Sequence, residues 1–488
     1  MPENNLVLVT GATGYIAGAL IPCLLESGYR VRCLVRDPSR LNGRQFSSHV
    51  EMIQGDVTNY SSLLRALEGV HTAFYLVHNM ISGKHYHQRD IAGAANFAEA
   101  ACLHGVEHII YLGGLADPAT QIGFHMRSRI QTGDVLRQGS VPVTEFRASL
   151  IIGSGSISFE MIRYLTEQIP LLAGPRWMQY LTQPIAVQNV VEFLISALEN
   201  PACRGNIYEI GGPDVLTYAD VIRIYARLRG LKRKVILLPI MPVWLMAFVV
   251  DRITPVRYPI AYPLIDGMRS DSIVKDHQAE IDFAQIYLLD YQTAVLTALD
   301  QLSPPHINRS WEVGSKTRSS YKTQGFFIEC QQESVEASTA AVYQAFVSLG
   351  GQYGWLYLNP LWKLRGLLDR LLGGPGMRGR SKAETLAVGD LVDFYRVEEL
   401  IPGHLLRLKA ELKAPGAGWM EWHTKSDIKG RTLVSQTAFY APKGVSGYLY
   451  WYLLLPFHRL VFAGLFEKLI SMAREKYQSI GDKVYIRL

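Results

Sequence analysis

The segment Thr10–Gly18 reads TGATGYIAG and joins a short apolar run to an amphipathic one. Gly11 permits a tight turn, Gly14 lets the backbone approach a pyrophosphate, and Ala17 lets the following helix pack close to its strand. Thr13, Tyr15 and Ile16 complete the loop. The helix start offers unpaired N–H groups and partial positive charge to phosphates. These residue types, in a strand–turn–helix context, describe a dinucleotide cradle. The second strand ends in Val35-Arg36-Asp37-Pro38-Ser39-Arg40. A carboxylate there suits the ribose hydroxyls of NAD, whereas an arginine suits the 2′-phosphate of NADP. Arg36, with Arg40 close behind, therefore favours NADP(H), and the adjoining Asp37 keeps NAD(H) as the alternative. Asp56 and Val57 follow the third strand and are candidates for the adenine edge. Leu76 and His78, at the C-terminal end of the next strand, lie where such folds place the cofactor crevice.

Other chemistry has little support. His71, His78, His85 and His87 are close in sequence but lack Cys or Glu at ligand spacing, so no metal site is expected. No G-x-S-x-G motif is present to supply a hydrolytic serine. Glu421 and Asp427 flank a strand and read as surface carboxylates.

The elements that must position these residues alternate along the first half. Apolar strands at 6–9, 30–35, 50–54, 72–77, 108–112 and 143–147 are separated by helical patterns at 15–27, 61–67, 91–103 and 125–136. Such alternation means βαβ units and a doubly wound parallel sheet, an α/β fold. The unit repeats as far as a strand at 207–210 and a helix at 217–229 opened by Thr217 and Asp220. A small substrate lobe is expected mainly within 150–300 of a first domain spanning 1–302. Pro304-Pro305 and the polar residues after them mark 303–320 as a linker. The remaining 168 residues hold 24 of the 51 aromatics, so 321–488 needs an apolar interior of its own. Its strands are expected at 326–330, 392–400, 405–412, 419–425 and 432–440, with helices at 337–349, 361–372 and 448–478. That pattern predicts an α+β domain.

The chain has 488 residues, 48% hydrophobic and only 19% charged, which excludes a disordered protein and suits two or three domains. Its net charge of +6 comes from interspersed signs without a Lys/Arg run, so nucleic acid is not an expected partner. Cys23, Cys33, Cys102, Cys203 and Cys330 are sparse and unpaired in pattern, as expected of reduced thiols in the cytoplasm. Glu3 and the lack of a basic n-region argue against a signal peptide. The uncharged stretches 4–25 and 337–362 are too interrupted by Gly, Pro and polar residues to span a bilayer. Peripheral membrane contact stays open. The segment Tyr448–Phe466 is apolar on nearly every face, and Pro456 is expected to kink or delay its helix. Trp451, Leu454 and Leu455 are expected to line a cavity or its mouth, with Arg459 near a polar end.

Together these residues resemble the short-chain dehydrogenase/reductase superfamily. TGATGYIAG resembles the TGxxGxxG fingerprint of its extended and atypical branches, with Ala17 at the third glycine. The stretches Arg147-Ala148-Ser149, Pro184–Val187 and Tyr208–Gly212 fit the same pattern. Gly354–Gly374 and Gly389–Leu400 resemble a domain of unknown function fused to atypical reductases of the YbjT-like group, which looks like helix-grip folds that enclose hydrophobic ligands. The resemblance implies a Ser, a Tyr-x-x-x-Lys pair and an Asn, in which Lys lowers the Tyr pKa for proton transfer. This chain departs from it. Gly113-Gly114 stand where the Ser would be, His125 and Arg129 stand in the Tyr and Lys places, and Asp90 lies near the Asn position. His125 and Arg129 share a helix face at spacing four. His125 suits proton transfer and Arg129 suits a ribose or phosphate. The nicotinamide would then lie over Gly113. Tyr111 reads as core.

The expected function is an NADP(H)-dependent oxidoreductase acting on a hydrophobic carbonyl, quinone or lipid-like substrate. A non-catalytic NADP(H)-binding sensor or scaffold, and a lipid-binding, membrane-associated protein with a structural dinucleotide, are the alternatives.

Overall fold

The computed structural model describes residues 5–41, 44, 46–78, 86–117, 122–301, 304, 317–323, 325–350, 354–380, 386–426 and 431–485. The chain divides into two compact units, Met1–Trp311 and Glu312–Leu488.

The first unit is a seven-stranded parallel sheet. Its strands are β1 (Leu6–Thr10), β2 (Arg30–Val35), β3 (Glu51–Gln54), β4 (Thr72–Tyr75), β5 (His108–Gly114), β6 (Val143–Ala148) and, after the lobe ladders, β11 (Ile207–Ile210). The spatial order β3-β2-β1-β4-β5-β6-β11 reverses direction at β1, so a crevice opens between the C-terminal ends of β1 and β4. Every residue of β1 and β4 is buried, as a central strand covered on both faces requires. Helices α1 (Tyr15–Glu26), α2 (Tyr60–Leu67), α3 (Tyr86–Leu103) and α4 (Phe124–Arg137) connect the strands. Asn59 caps α2 by accepting from the Ser62 N–H, a satisfied helix start.

The lobe is made of three short ladders. They pair β7 (Ile151–Ile152) with β10 (Ile185–Ala186), β8 (Leu171–Pro175) with β13 (Lys234–Leu238), and β9 (Leu181–Thr182) with β12 (Leu216–Thr217). Around them pack α5 (Ile157–Gln168), α6 (Val187–Glu199), α7 (Tyr218–Leu228), α8 (Val243–Ile253), α9 (Tyr258–Gly267), α10 (Gln278–Asp282) and α11 (Tyr291–Asp300). Thr217 accepts from the Asp220 N–H at 3.0 Å and opens α7 as its sequence suggests.

The second unit is an antiparallel sheet with helices. Its strands are β14 (Thr317–Thr323), β15 (Phe326–Val335), β16 (Leu391–Val392), β17 (Tyr395–Ile401), β18 (Leu405–Ala410), β19 (Gly416–Ser426) and β20 (Thr432–Pro442), in the order β14-β15-β20-β19-β18-β17-β16. Helices α12 (Thr339–Val347), α13 (Asn359–Leu371) and α14 (Gly444–Tyr485) complete it. A core of Phe346, Trp355, Trp362, Trp422, Leu465 and Phe466 lies between sheet and helices.

Several expectations are corrected here. Residues 317–320, expected in the linker, begin β14, because β15 supplies a full antiparallel register from Thr317↔Gln332 to Thr323↔Phe326. The rest of that linker lies largely outside the described residues. The strand expected at 392–400 is two strands, broken where Asp393 adopts φ 57°. Its carboxylate accepts from Trp355 Nε1 at 2.7 Å and its N–H donates to the Gly379 carbonyl at 2.8 Å. Pro456 does not delay α14, which starts at Gly444 and runs through it. Glu421 is not on the surface: it is buried, 2.8 Å from Arg407 Nε. Asp427 lies outside the described residues.

Candidate functional site

The crevice is tied together at its base by Thr10. Its hydroxyl donates to the Phe74 carbonyl at 3.0 Å and accepts from the Leu76 N–H at 3.1 Å, fixing the end of β1 to the exit of β4. Gly11 turns the chain with φ 66°, and a Cβ there would stand 2.8 Å from the Leu76 carbonyl oxygen. Only glycine meets both demands. Gly14 closes the turn onto the Gly11 carbonyl at 2.7 Å and is the N-cap of α1, with no side-chain cap and no acid in the first turn. The α1 start is thus left open to an anion.

Arg44 completes this cradle, and sequence reasoning missed it. Its guanidinium donates to the Thr13 carbonyl at 2.9 Å and occupies the space beside Gly18. Its Nε is shielded from solvent and has no hydrogen-bond partner. A buried, unsatisfied arginine nitrogen at a phosphate-type loop fits an anionic ligand group. Arg44 follows a turn without periodicity, so nothing in the sequence pattern singled it out. Arg36 is exposed, and its Nε stands 3.9 Å from Asp56. The Asp56 carboxylate accepts from the Thr58 N–H and hydroxyl at 2.9 and 2.7 Å, which holds its pKa down despite burial. The Val57 side chain is buried against Gly93.

The second cluster lies at the ends of β4 and β5. Asp90, on α3, is buried, with Oδ2 2.9 Å from His78 Nδ1. His78 Nε2 lies 3.0 Å from His125 Nδ1 in the first turn of α4. Burial lowers the pKa of His78, opposed by its hydrogen bond to Asp90. Burial, followed by the charges of His78 and Arg129, holds that of His125 well below the usual imidazole value. Both rings are therefore neutral at pH 7. A carboxylate only accepts, so His78 Nδ1–H donates to Asp90, His125 Nδ1–H donates to His78, and His125 Nε2 carries the free lone pair. Sequence spacing placed His78 in the crevice but gave no sign of this coupling, because His78, Asp90 and His125 come from three different elements.

The start of α4 is clamped on β5. Arg129 donates to the Leu112 carbonyl, and the Tyr111 hydroxyl donates to the Arg129 carbonyl at 2.8 Å. Tyr111 is core as expected, yet it also seats the helix. Gly113 leaves room for a neighbour: a Cβ there would stand 2.9 Å from Glu145 Oε1. Glu145 is fully buried between Arg137 and Arg147.

His125, Arg129, Gly113, Tyr15 and Ile16 line one cavity of about 320 Å³. Its other walls, including Met161, Leu165, Met178, Val221 and Met246, come mainly from the lobe and are apolar. The cradle, the histidine chain and an apolar chamber thus meet at the C-terminal edge of the sheet. Among the described residues no group of three His, Cys, Asp or Glu side chains could hold a metal ion. No helix among them is long and apolar enough to cross a membrane.

Comparison with known proteins agrees with the fold. Photosystem II assembly factor Ycf39 of Cyanophora paradoxa is 25% identical over 241 residues, 48% of this chain and 72% of that protein. Ceramide reductase of Caulobacter vibrioides is 26% identical over 243 residues, 48% of this chain and 74% of that protein. The crystal structure of an NADPH-dependent quinone oxidoreductase of Escherichia coli aligns with 60% of this chain and 99% of its own at TM-score 0.50 and 16% identity, a likeness of fold. Residues 3–245 match the NmrA-like family, and residues 326–465 match DUF2867, a family of unknown function. The chain joins an NmrA-like domain, an atypical short-chain dehydrogenase/reductase of NAD(P)-binding Rossmann type, to a DUF2867 domain.

Proposed function

We propose that the first domain is an NADP(H)-dependent reductase of a hydrophobic carbonyl or quinone, with His125 as the proton donor. The observation that carries this reading is the Asp90–His78–His125 chain, which ends at an apolar cavity beside Gly113. When bound, the dinucleotide supplies a hydride to the substrate carbon. Gly11, Gly14 and the α1 start would hold its pyrophosphate, and Arg36 with Arg44 its 2′-phosphate. The protein's own task is the proton. With one proton added, His78 is an imidazolium between Asp90 and His125, and the neutral His125 presents Nε2–H to the cavity. As negative charge develops on the substrate oxygen, His125 gives it the Nε2 proton and takes the Nε2 proton of His78 at its own Nδ1. The chain returns to the neutral pair beside the Asp90 carboxylate. Arg129, anchored on Leu112, sets the angle of the helix turn that carries His125. The lobe side chains exclude water and select an apolar substrate.

NADPH oxidation across a panel of quinones and aryl ketones tests this. The parent protein should turn over at least one of them. His125→Phe should bind NADPH normally and lose about a hundredfold or more in kcat, the range that general acid catalysis supplies. A parent that binds NADPH but consumes it no faster than His125→Phe would overturn the catalytic role.

A further inference from the structure

The second unit holds a cavity of about 350 Å³ walled by α13, α14 and strands β17 to β20. Trp362, Tyr395, Trp419, Tyr440 and Trp451 are buried in its walls. Leu364, Leu368 and Phe457 also line it and are exposed, so it opens between α13 and α14. Trp451 and Leu454 line it as the sequence suggests, whereas Leu455 does not. Arg459, expected at a polar end, pairs instead with Glu329 at 3.3 Å.

The polar end is built by another arginine. Arg365, half-buried on α13, donates to the Tyr450 hydroxyl at 3.0 Å, with its guanidinium 5.7 Å from that ring. Among the described residues no carboxylate lines the cavity and Arg365 has no acidic partner. His458 Nδ1 and Trp419 Nε1, both on lining residues, are shielded from solvent and make no hydrogen bond. Burial and then the charge of Arg365 hold His458 down to about 4, so the ring is neutral and Arg365 is the only charged side chain among the described lining residues. An uncompensated cation beside unsatisfied polar atoms in an aromatic chamber is costly unless a ligand supplies the acceptor.

We propose that this cavity binds a small apolar carboxylate, with its acidic group on Arg365 and Tyr450 and its body against Trp362, Phe439 and Trp451. The volume is at the low end of the roughly 300–1,000 Å³ of ligand sites, which limits the body to a medium acyl chain or a fused pair of rings. A fatty acid and an aromatic acid share this chemistry. The site is independent of the redox reading of the first domain.

Calorimetric titration of the full-length protein with dodecanoate and naphthoate, each against the alcohol of the same skeleton, tests the proposal. At least one acid should bind about tenfold or more tighter than its alcohol, as a charge-assisted contact implies. Preference for dodecanoate identifies an acyl source, and preference for naphthoate an aryl one. Arg365→Met should erase the acid's advantage and leave alcohol binding unchanged. Leu454→Trp, which fills the cavity, should remove both. No binding by either acid, equal affinity of acid and alcohol, or acid binding untouched by Arg365→Met would overturn the proposal. If Leu454→Trp fails to melt cooperatively, the Arg365→Met comparison decides alone.

Discussion

Replacing Asp90 by Asn keeps the shape of the side chain and removes only its charge. In the parent, the hydrogen bond to Asp90 and then its charge oppose the burial that depresses His78, while Arg129 adds to the depression. A hydrogen bond to a charged group is worth about 1.5–3 kcal/mol, against about 0.5–1.5 kcal/mol for a neutral one. The difference, about 1–1.5 kcal/mol, corresponds to roughly one pKa unit at 1.36 kcal/mol per unit. His78 should therefore titrate about one unit lower in Asp90→Asn, and the protonated relay should be about tenfold rarer at neutral pH. Two-dimensional NMR of the histidine ring nitrogens across a pH series reads this shift without a substrate. With a substrate in hand, kcat for reduction should fall about tenfold at neutral pH with little change in KM. An unchanged His78 titration would refute the reasoning, since the 2.9 Å contact to Asp90 would then not be controlling the proton.

Other expectations concern binding and stability. Arg44→Met should weaken NADPH by about ten- to a hundredfold and NADH far less, measured by calorimetry; equal losses would remove Arg44 from the 2′-phosphate. Glu421→Gln leaves the buried Arg407 with Glu399 as its remaining carboxylate, so it should cost about 1–3 kcal/mol in denaturant unfolding of the second domain. His108 is held down to about 3, first by burial and then by the charges of Arg204 and His71. Its neutral form therefore stabilises the fold above an unfolded value of about 6.5, and that stability is lost as pH falls toward 3. His108→Gln should flatten the acid limb of a stability–pH curve by up to about 1.4 kcal/mol per pH unit.

The parallel sheet was readable because its strands are continuous apolar runs and its helices carry a 3.6-residue period. Each follows from burial on both faces or on one. β14 was not, because TRSSYKT is polar on both faces and becomes a strand only through its partner β15. The split at Asp393 was equally silent, since a bond from Trp355, 38 residues away, stabilises the turn. Glu421 illustrates a general limit: a carboxylate in a strand reads as exposed until the arginine on the neighbouring strand is known. At the site, the glycine loop was legible because its demands are local. Arg44 and the Asp90–His78–His125 chain were not, because they depend on contacts between elements far apart in sequence.

The vacancy at Gly113 governs which sequences can follow this one. The space that a Cβ would need there, and also at Gly133, is filled by the Glu145 carboxylate, which is pinned by Arg137 and Arg147. Gly114 differs, since a Cβ there would stand 2.6 Å from Met126 Cε, the movable tip of a flexible side chain, and 3.2 Å from Arg129 Cδ. A serine at Gly113 therefore cannot be introduced by one substitution without cost. At Gly113 it would displace a buried anion and strand two arginines, whereas at Gly114 it would ask only for a shift of the Met126 tip and a small adjustment of Arg129. A larger residue at Gly113 would require a coordinated exchange with Glu145, Arg137 and Arg147 across β5, β6 and α4. Packing thus holds residue 113 as a glycine for as long as Glu145 keeps its two arginines.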